Sequence, residues 1–329
     1  LSGLYEALLL LEGYNIDVSG LGEGSLFYQQ EPVLTIEGNY REFCDLETAL
    51  LGFLCQSSGI STKSARLKKM AGEKSILSFG VRRMHPTIAP MIDRAAYLGG
   101  LDGFSCIGAE KIIGKKASGT MPHSLALIIG DSKEAFILFD QIIDKDIPRI
   151  MLADTFCDEK REALIAAENI KNLDGVRLDT PGSRRGNMSK IIQEVRWELD
   201  IRGYKDVKIF LSGGLDEESF KSFKDADAFG VGTSVSNAKT IDFALDIVEV
   251  EGTPFTKRGK LSGKKTVLRC PKCMAGKIVY DKTTEKCACG EKMKPAQINL
   301  MKKGKILIDF EDVSDIRSNV LNLIKKVEF

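Results

Sequence analysis

The spacing of apolar residues changes near residue 75 and divides the chain into two parts of different organisation. Before that residue, apolar positions recur partly at the period of a helix and partly at the period of a strand. The pattern predicts helices over residues 4–13, 43–57 and 62–71, and strands over residues 15–18, 24–28 and 32–37. Strands and helices grouped in this way are typical of an α+β layer.

After residue 75 a different unit repeats: a short apolar and β-branched run, a glycine-bearing loop, and a helical pattern. The runs predict strands over residues 75–79, 103–106, 149–153, 175–178, 207–211 and 228–230, and helices over residues 87–98, 124–130, 158–169, 187–202 and 217–223. Parallel strands alternating with helices favour an α/β barrel. Because the stretch of about 175 residues is short for eight strand–helix units, we expect an irregular or incomplete barrel.

Two neighbouring strands of this series end in glycine turns. Ser212, Gly213 and Gly214 follow one strand, and Gly232 and Thr233 follow the next. In α/β barrels the loops after two late, adjacent strands form a phosphate cup from backbone N–H groups. We predict that these five residues bind a phosphate; the alternative is that the glycines only permit tight turns.

Composition excludes several classes of protein. The formal charge of +1 argues against binding nucleic acid with the whole surface, and a charged fraction of 28% with an apolar fraction of 43% is ordinary for a globular protein. The longest apolar run, near residues 49–55, is too short to span a membrane. The first residues carry an acid and lack the basic start of a secretory signal, so we expect a cytoplasmic protein.

Four of the eight cysteines are concentrated in one short stretch. They have the spacing C-x₂-C-x₁₃-C-x-C, which suits four thiolates around a tetrahedral structural Zn²⁺, and they are Cys270, Cys273, Cys287 and Cys289. The alternative is a thiol cluster without metal. Residues 257–303, which surround the cysteines, are rich in lysine, and Tyr280 is the one aromatic residue in this range. Stacking on bases is therefore poorly supported, and we do not expect nucleic-acid binding.

The residues at the predicted strand ends are rich in arginine, hold one histidine, and contain no serine–histidine–acid set that the sequence identifies. Such a site suits anions and a developing positive charge better than acyl hydrolysis. The sequences at these ends are Phe79-Gly-Val-Arg-Arg83, Gly119-Thr-Met-Pro-His-Ser124, Asp154-Thr155, Arg177-Leu-Asp-Thr180 and the two glycine turns.

These motifs carry a resemblance to a known family. Residues 78–86, 117–124, 175–180, 211–216, 229–233 and 257–265, together with Glu31-Pro32 and Leu46-Glu-Thr48, resemble nicotinate phosphoribosyltransferase in its compact archaeal form, a type II phosphoribosyltransferase. The resemblance covers about residues 4–295 and keeps the family's motif order. The family's further first segment, which completes a neighbouring subunit's base site, precedes the residues of this sequence.

The resemblance implies a fold and a domain organisation. It implies an open α/β sandwich over residues 1–74, an irregular seven-stranded α/β barrel with the active site over residues 75–249, and a small zinc-knuckle-like domain with a C-terminal tail over residues 266–329. Residues 250–266 are expected to pack back onto the first domain. A homodimer or larger oligomer with shared active sites is a further implication.

The resemblance also implies roles for single residues. Phe79 is expected to stack on a pyridine ring, Arg82 to meet the diphosphate, and Arg177 and Asp179 to lie beside the base and ribose. His123 matches a histidine that family members phosphorylate with ATP. The substrate-binding set implied as a whole is Phe79, Arg82, Arg83, Thr120, Ser212, Gly213, Gly214, Gly232 and Thr233. From the residues alone, Arg83 and Arg177 could instead form ion pairs at the barrel rim, and Asp179 could cap a helix.

The function implied is transfer of ribose 5-phosphate from phosphoribosyl pyrophosphate to nicotinate, within NAD biosynthesis, with Mg²⁺ on the diphosphate and ATP as a possible cosubstrate. Two alternatives remain open. Quinolinate phosphoribosyltransferase shares the architecture and releases CO₂, but it needs extra basic residues for a second carboxylate. The other alternative is a non-catalytic phosphate- or RNA-binding protein.

Overall fold

A computed structural model describes residues 1–183, 186–280 and 283–328. Its helices are α1 Leu4–Leu11, α2 Glu47–Ala71, α3 Ala89–Leu98, α4 Glu110–Ile113, α5 His123–Ile129, α6 Ser132–Ile142, α7 Glu159–Asn169, α8 Met188–Ile201, α9 Glu217–Ser222, α10 Thr233–Ser236 and α11 Val313–Ile324. Its strands are β1 Ile16–Gly20, β2 Leu34–Gly38, β3 Ser75–Ser78, β4 Ile150–Leu152, β5 Gly175–Leu178, β6 Lys208–Leu211, β7 Ala228–Val231, β8 Glu249–Val250, β9 Thr253–Pro254, β10 Thr266–Arg269, β11 Gly276–Val279, β12 Lys294–Pro295, β13 Ile298–Lys302 and β14 Lys305–Ile306.

The chain forms two compact units, neither of which is continuous in sequence. Unit 1 consists of residues 1–65, 94–100 and 238–329, and unit 2 consists of residues 66–93 and 101–237. Among the described residues, no helix is long and apolar enough to cross a membrane.

Unit 2 is built on a parallel sheet with the strand order β3-β7-β6-β5-β4. All of its pairings are parallel. Every residue of β5 and of β7 is buried, as expected for strands covered on both faces. The sequence of β7 is a continuous apolar run, whereas β5 contains the buried Arg177. The α/β organisation predicted for this part of the chain is confirmed, whereas seven strands are not found among the described residues of the unit.

The strand predicted over residues 103–106 is wrong. Gly103 makes a single bridge to Leu77 of β3, and the chain then leaves the ladder. The cause is the fully buried carboxylate of Asp93, whose Oδ2 accepts the N–H groups of Ser105 and Cys106 at 3.1 and 2.8 Å. Those two donors are therefore satisfied by a side chain instead of a neighbouring strand.

Unit 1 holds a sheet with the order β14-β13-β1-β2, in which all pairings are antiparallel. The strand β13, close to the C-terminal end of the chain, lies directly beside β1, with Val18 opposite Met301. The core of the unit is made of apolar side chains from both ends of the chain, among them Leu4, Leu8 and Leu300, which are fully buried. A separate three-stranded sheet, β11-β10-β12, carries the cysteine-rich stretch.

Two further predictions in this unit are wrong. Residues 24–28 form no strand, and residues 43–57 and 62–71 do not form two helices, because α2 runs without interruption from Glu47 to Ala71. The small polar residues 57–61, which suggest a break in the pattern, are a buried stretch of this helix. A side chain at Gly59 would lie 2.3 Å from the carbonyl oxygen of Lys239, so glycine permits a close approach of two backbones.

A buried ion pair joins the loop before β2 to the cysteine-bearing sheet. Arg269 Nη2 lies 2.6 Å from Glu31 Oε2, and the two side chains are only 10% and 3% exposed. The same guanidinium donates to the carbonyl of Leu26 and lies over the ring of Tyr28 at 4.9 Å. The role of Glu31-Pro32 in the fold is therefore to hold Arg269.

We expect Arg269→Ala to lower the free energy of unfolding by about 3–5 kcal/mol, because it leaves the carboxylate of Glu31 buried without its partner. Urea denaturation followed by circular dichroism measures this. Lys264→Ala is the matched control, since it breaks the ion pair with Glu37 in which both side chains are more than half exposed, and should cost less than about 1 kcal/mol. Equal losses in the two variants would contradict the prediction.

Candidate functional site

The candidate site lies at the carboxyl edge of the parallel sheet in unit 2. Because β3, β5, β6 and β7 are parallel neighbours, the loops that follow them leave the sheet at the same edge. Each of these loops carries one of the motifs predicted to bind substrate. The structure thus brings together residues that are up to 150 positions apart in sequence, such as Arg83 and Thr233, whose side chains are 3.1 Å apart.

Arg177 is the buried cation of the site. Its Nη2 donates to the carbonyl of Met121 at 2.9 Å, and its Nη1 lies 3.4 Å from Ser212 Oγ and 3.7 Å from Asp179 Oδ2. Its Nε is buried and has no hydrogen-bond partner in the described part of the chain. Burial lowers the pKa of Arg177, while Asp179 and Asp154 raise it and Arg82 lowers it further. An unpaired buried donor at this edge is suited to an anionic ligand.

Asp179 is held beside Arg177 by the loop after β6. Its Oδ1 accepts the hydroxyl of Ser212 at 2.7 Å, and a side chain at Gly213 would come within 3.1 Å of its carbonyl oxygen. Its side chain remains 29% exposed. The alternative prediction is that Asp179 caps a helix. The next helix, α8, is instead capped by Asn187.

His123 lies at the start of α5 between two carboxylates. Its Nε2 is 3.8 Å from Asp154 Oδ1 and 3.8 Å from Asp179 Oδ2, and its Nδ1 is 3.1 Å from Thr155 Oγ1. The imidazole side chain is 40% exposed and so remains open to a ligand. Burial raises the pKa of Asp154, although His123 and the contacts with the Asp179 N–H and the Thr180 hydroxyl oppose that shift.

Glu162, on α7, holds the loop that carries Thr155. Its fully buried carboxylate accepts the N–H groups of Thr155 and Phe156 at 2.6 and 2.9 Å and the hydroxyl of Ser132 at 2.5 Å. Thr155 in turn contacts His123, so this acid holds in place the loop that supplies a hydrogen-bond partner to the imidazole.

We expect Glu162→Ala to destabilise the protein by about 3 kcal/mol, since it removes a buried carboxylate group that accepts from three donors. Thermal or urea unfolding measures the loss. Glu168→Ala, at an exposed position on the same helix, is the control and should change stability by less than about 0.5 kcal/mol. A loss below 1 kcal/mol for Glu162→Ala would show that the loop is held by other contacts.

The two glycine turns also lie side by side. Gly213 and Gly214 have φ angles of +89° and +69°, which other residues rarely adopt. The loop after β7 is tied to the loop after β6 by a hydrogen bond of 2.7 Å from the hydroxyl of Ser234 to the carbonyl of Leu215. These turns are therefore neighbours, as the phosphate-cup prediction requires; whether they bind phosphate stays a prediction.

The remaining predicted site residues differ in their surroundings. Phe79 is partly buried, and its ring covers Gly230, where a side chain would lie 2.5 Å from it. Arg82 and Arg83 are exposed on the loop after β3, close enough for Arg82 to influence the pKa of Arg177. Thr120 is exposed next to Met121.

Three residues of the cluster were given no role by the sequence. Asp154 follows β4, Thr180 follows Asp179, and Glu159 begins α7. Thr180 Oγ1 lies 3.0 Å from Asp154 Oδ2 and 2.6 Å from Glu159 Oε1. The available signal in the sequence is the position of Asp154 two residues after the end of β4, but its partners follow only from the pairing of β4 with β5.

The four cysteines of unit 1 form a compact cluster that could bind a metal ion. Their sulfur atoms all lie within 4.8 Å of one another, with Sγ–Sγ distances of 3.5 Å for Cys270–Cys289 and for Cys273–Cys287. Tetrahedral thiolates around zinc are about 3.8 Å apart, whereas disulfide sulfurs are about 2 Å apart, so the arrangement fits a metal site. The backbone N–H of Cys273 lowers the pKa of the Cys270 thiol to about 6.

Comparisons with known proteins agree with this architecture. The family model described as the quinolinate phosphoribosyl transferase C-terminal domain matches residues 60–246, and the model of the N-terminal domain matches residues 1–58. The structure called nicotinate-nucleotide pyrophosphorylase from Pyrococcus furiosus has a TM-score of 0.97 and 52% identity, and the match covers 100% of this chain and 86% of that one. A human nicotinic acid phosphoribosyltransferase has a TM-score of 0.74 at 19% identity over 99% of this chain and 79% of that one, which supports the fold alone.

Curated relatives carry a related name. A nicotinate phosphoribosyltransferase of Mycobacterium tuberculosis is 29% identical over 77% of this chain and 59% of that protein, and one of Bacillus subtilis is 33% identical over 66% of this chain and 45% of that protein. The chain thus spans about half to three fifths of the length of these relatives.

The family models and the curated relatives place the chain in the phosphoribosyltransferase class, and the parallel sheet with its paired glycine turns agrees with that class. Within that class, the chain belongs to the quinolinate phosphoribosyltransferase family, whose two domain models together match residues 1–58 and 60–246. The resemblance to type II phosphoribosyltransferases is confirmed. The prediction that the function is specifically that of a nicotinate phosphoribosyltransferase is wrong, because both family models are described as quinolinate phosphoribosyl transferase domains and the structure with 52% identity is called a nicotinate-nucleotide pyrophosphorylase.

Proposed function

We propose that this protein is a quinolinate phosphoribosyltransferase, which forms nicotinate mononucleotide, pyrophosphate and CO₂ from quinolinate and phosphoribosyl pyrophosphate. The bond from the sugar to pyrophosphate breaks, the pyridine nitrogen bonds to the sugar carbon, and the carboxylate at ring carbon 2 leaves as CO₂ while that carbon takes a proton. The observation that carries the proposal is the match, over the full chain at 52% identity, to a protein called a nicotinate-nucleotide pyrophosphorylase.

The charges at the sheet edge support a dicarboxylate substrate. Quinolinate carries two carboxylates, and the edge offers the buried Arg177 with an unpaired Nε and the exposed Arg82 within electrostatic reach of it. A guanidinium binds a carboxylate through paired N–H groups. Phe79, whose ring is partly exposed over Gly230, would stack on the pyridine.

Phosphoribosyl pyrophosphate would bind across the same edge as its Mg²⁺ complex, with the ion held by diphosphate oxygens and water. Its 5′-phosphate would lie on the turns that contain Ser212, Gly213, Gly214, Gly232 and Thr233. Asp179 would orient the ribose hydroxyls, since its carboxylate is fixed by Ser212 and remains partly exposed. Arg83, which donates to Thr233, and Thr120 would line the entrance.

Finer features of the fold and assembly are also proposals. We propose that the parallel sheet forms part of an irregular barrel, and that the four cysteines hold a structural Zn²⁺, since their spacing fits it. We further propose a homodimer, supported by the exposed apolar side chains of Leu127, Ile128 and Ile142 on α5 and α6. Sedimentation measures the oligomer, and metal analysis identifies the ion.

The test of the function is an assay with phosphoribosyl pyrophosphate, Mg²⁺ and one pyridine acid at a time. With quinolinate labelled at the 2-carboxylate we expect one labelled CO₂ for each pyrophosphate, and Asp179→Asn should reduce both products together. Mononucleotide formed from nicotinate but not from quinolinate would overturn the proposal, and so would the absence of any product together with retention of RNA. Running the assay with and without ATP tests the prediction of ATP coupling through His123.

A further inference from the structure

The hydrogen bonds around Thr180 require one more proton than the hydroxyl group and two ionised carboxylates can supply. Its hydroxyl oxygen lies within hydrogen-bond distance of two carboxylates, Asp154 Oδ2 at 3.0 Å and Glu159 Oε1 at 2.6 Å. A threonine hydroxyl has one hydrogen and can donate to only one of them. The second contact between the threonine oxygen and a carboxylate oxygen needs another proton. Both contacts are therefore hydrogen bonds only if one of the two acids is protonated.

The geometry indicates which acid holds that proton. The side chain of Asp154 is 3% exposed, whereas Glu159 is partly open to solvent. Burial penalises the charged form, so the neutral form is favoured at Asp154. The shorter contact, to Glu159, has the length expected when a hydroxyl donates to an ionised carboxylate.

We propose that Asp154 is a neutral carboxylic acid in the resting site and that Thr180 and Glu159 hold it in that form and connect its proton to solvent. In this chain Asp154 donates through Oδ2 to Thr180, and Thr180 donates to Glu159. The N–H of Asp179, which also contacts Oδ2 at 2.9 Å, uses the second lone pair. When Asp154 ionises, its proton passes to the Thr180 oxygen while the hydroxyl proton of Thr180 passes to Glu159. Thr180 thus keeps one hydroxyl proton, and Glu159 becomes the protonated acid.

The charged groups around Asp154 come from three other elements. His123 lies on α5, Arg177 and Asp179 lie on and after β5, and Glu159 lies on α7. His123 and Arg177 favour the ionised form of Asp154, whereas Asp179 and Glu159 oppose it. The burial that raises the pKa of Asp154 acts in the same direction as the proposal.

A neutral Asp154 has a consequence for substrate binding. This consequence rests on the proposed function, whereas the protonation of Asp154 is independent of it. Phosphoribosyl pyrophosphate, the proposed substrate of this site, is a polyanion. If Asp154 were ionised, two negative charges, on Asp154 and Asp179, would flank the imidazole of His123. Keeping one of them neutral reduces repulsion of that substrate. Glu159 is thus a positioning residue that acts through Thr180 and does not touch substrate.

Infrared spectroscopy of the full-length protein without substrate tests the protonation. We expect the carbonyl band of a protonated carboxylic acid at pH 7 in the wild type and its loss in Asp154→Asn. Glu159→Gln should also remove the band at pH 7 by lowering the pKa of Asp154, because the glutamine amide can donate to Thr180 and free the hydroxyl for an ionised Asp154. Thr180→Ser, which keeps the hydroxyl, should retain the band.

Glu168→Gln is the matched control, since it removes one negative charge from an exposed position on α7 and should leave the band in place. Retention of the band in Glu159→Gln, or its absence in the wild type, would overturn the proposal. Calorimetry with Mg²⁺-pyrophosphate as the probe measures the effect on anion binding, where we expect about threefold to tenfold weaker binding in Glu159→Gln at pH 7. If the band behaves as expected but the chain turns over no pyridine acid, the proposed function fails and the proton chain stands.

Discussion

Replacing Arg177 with leucine should reduce kcat/KM for phosphoribosyl transfer by about a thousandfold, equivalent to about 4 kcal/mol of transition-state stabilisation. The physical reason is that Arg177 is a buried cation that pairs with Asp179, and its Nε, a donor without a partner in the described residues, would bind the substrate anions under the proposed function. Leucine fills part of the volume but leaves the carboxylate of Asp179 without that charge.

The lysine variant separates charge from geometry. Arg177→Lys keeps the positive charge but loses the planar fork that reaches Met121 and Ser212, so we expect a loss of about a hundredfold, mainly in kcat. Arg202→Lys, on the exposed end of α8, is the control and should retain full activity. Thermal melts show whether each variant is folded, and steady-state kinetics measure the losses. A leucine variant that is folded and within tenfold of wild type would exclude Arg177 from the site.

Removing the metal that we propose for the cysteine cluster should have the second largest effect. The four sulfurs lie around one point in a sheet with only a small apolar core of its own, Leu268, Val279 and Met293 beside two of the cysteines. Structural zinc contributes on the order of 10 kcal/mol to the folding of small domains of this kind. Chelation, or Cys270→Ser, should therefore lower the melting temperature by roughly 10 °C or more and expose the thiols to modification.

Cys157→Ser is the matched control for that experiment. Cys157 is exposed in unit 2, outside the cluster, and its replacement should leave both the metal content and the melting temperature unchanged. One metal ion per chain and four sulfur ligands at about 2.3 Å by X-ray absorption are the expected direct readouts. A protein that contains no metal and has protected thiols at its full melting temperature would contradict the prediction.

The strands of the parallel sheet could be predicted because each contains a short run of buried apolar residues, and three of them are followed directly by glycine or a polar residue. The exceptions have local causes. Residues 103–106 have the composition of a strand, but the side chain of Asp93 satisfies their N–H groups. Residues 57–61 have the composition of a loop, but they lie within α2, and the absence of a side chain at Gly59 permits the close approach of the backbone at Lys239.

The candidate site was predictable where a motif holds its own geometry and not where it depends on strand pairing. Arg177, Asp179 and the glycine turns lie within short motifs, and the structure brings them to one edge. The link from Asp154 through Thr180 to Glu159 depends on which strands are neighbours, and hydrophobic periodicity carries no information about that. Whether the site accepts a substrate with one carboxylate or with two depends on where the guanidinium groups lie in space. The spacing of motifs in the sequence does not give those positions.

The position of β13 beside β1 has a consequence for synthesis on the ribosome. The strand β1 has β2 on one side within the first forty residues, but its other edge is completed only by residues 298–301. Until those residues emerge, β1 exposes unpaired backbone groups and the apolar face that Leu300 later covers. Unit 2, whose residues all precede position 238, can acquire its native contacts earlier, so we expect nascent chains stopped before residue 298 to protect unit 2 from protease while unit 1 is still digested.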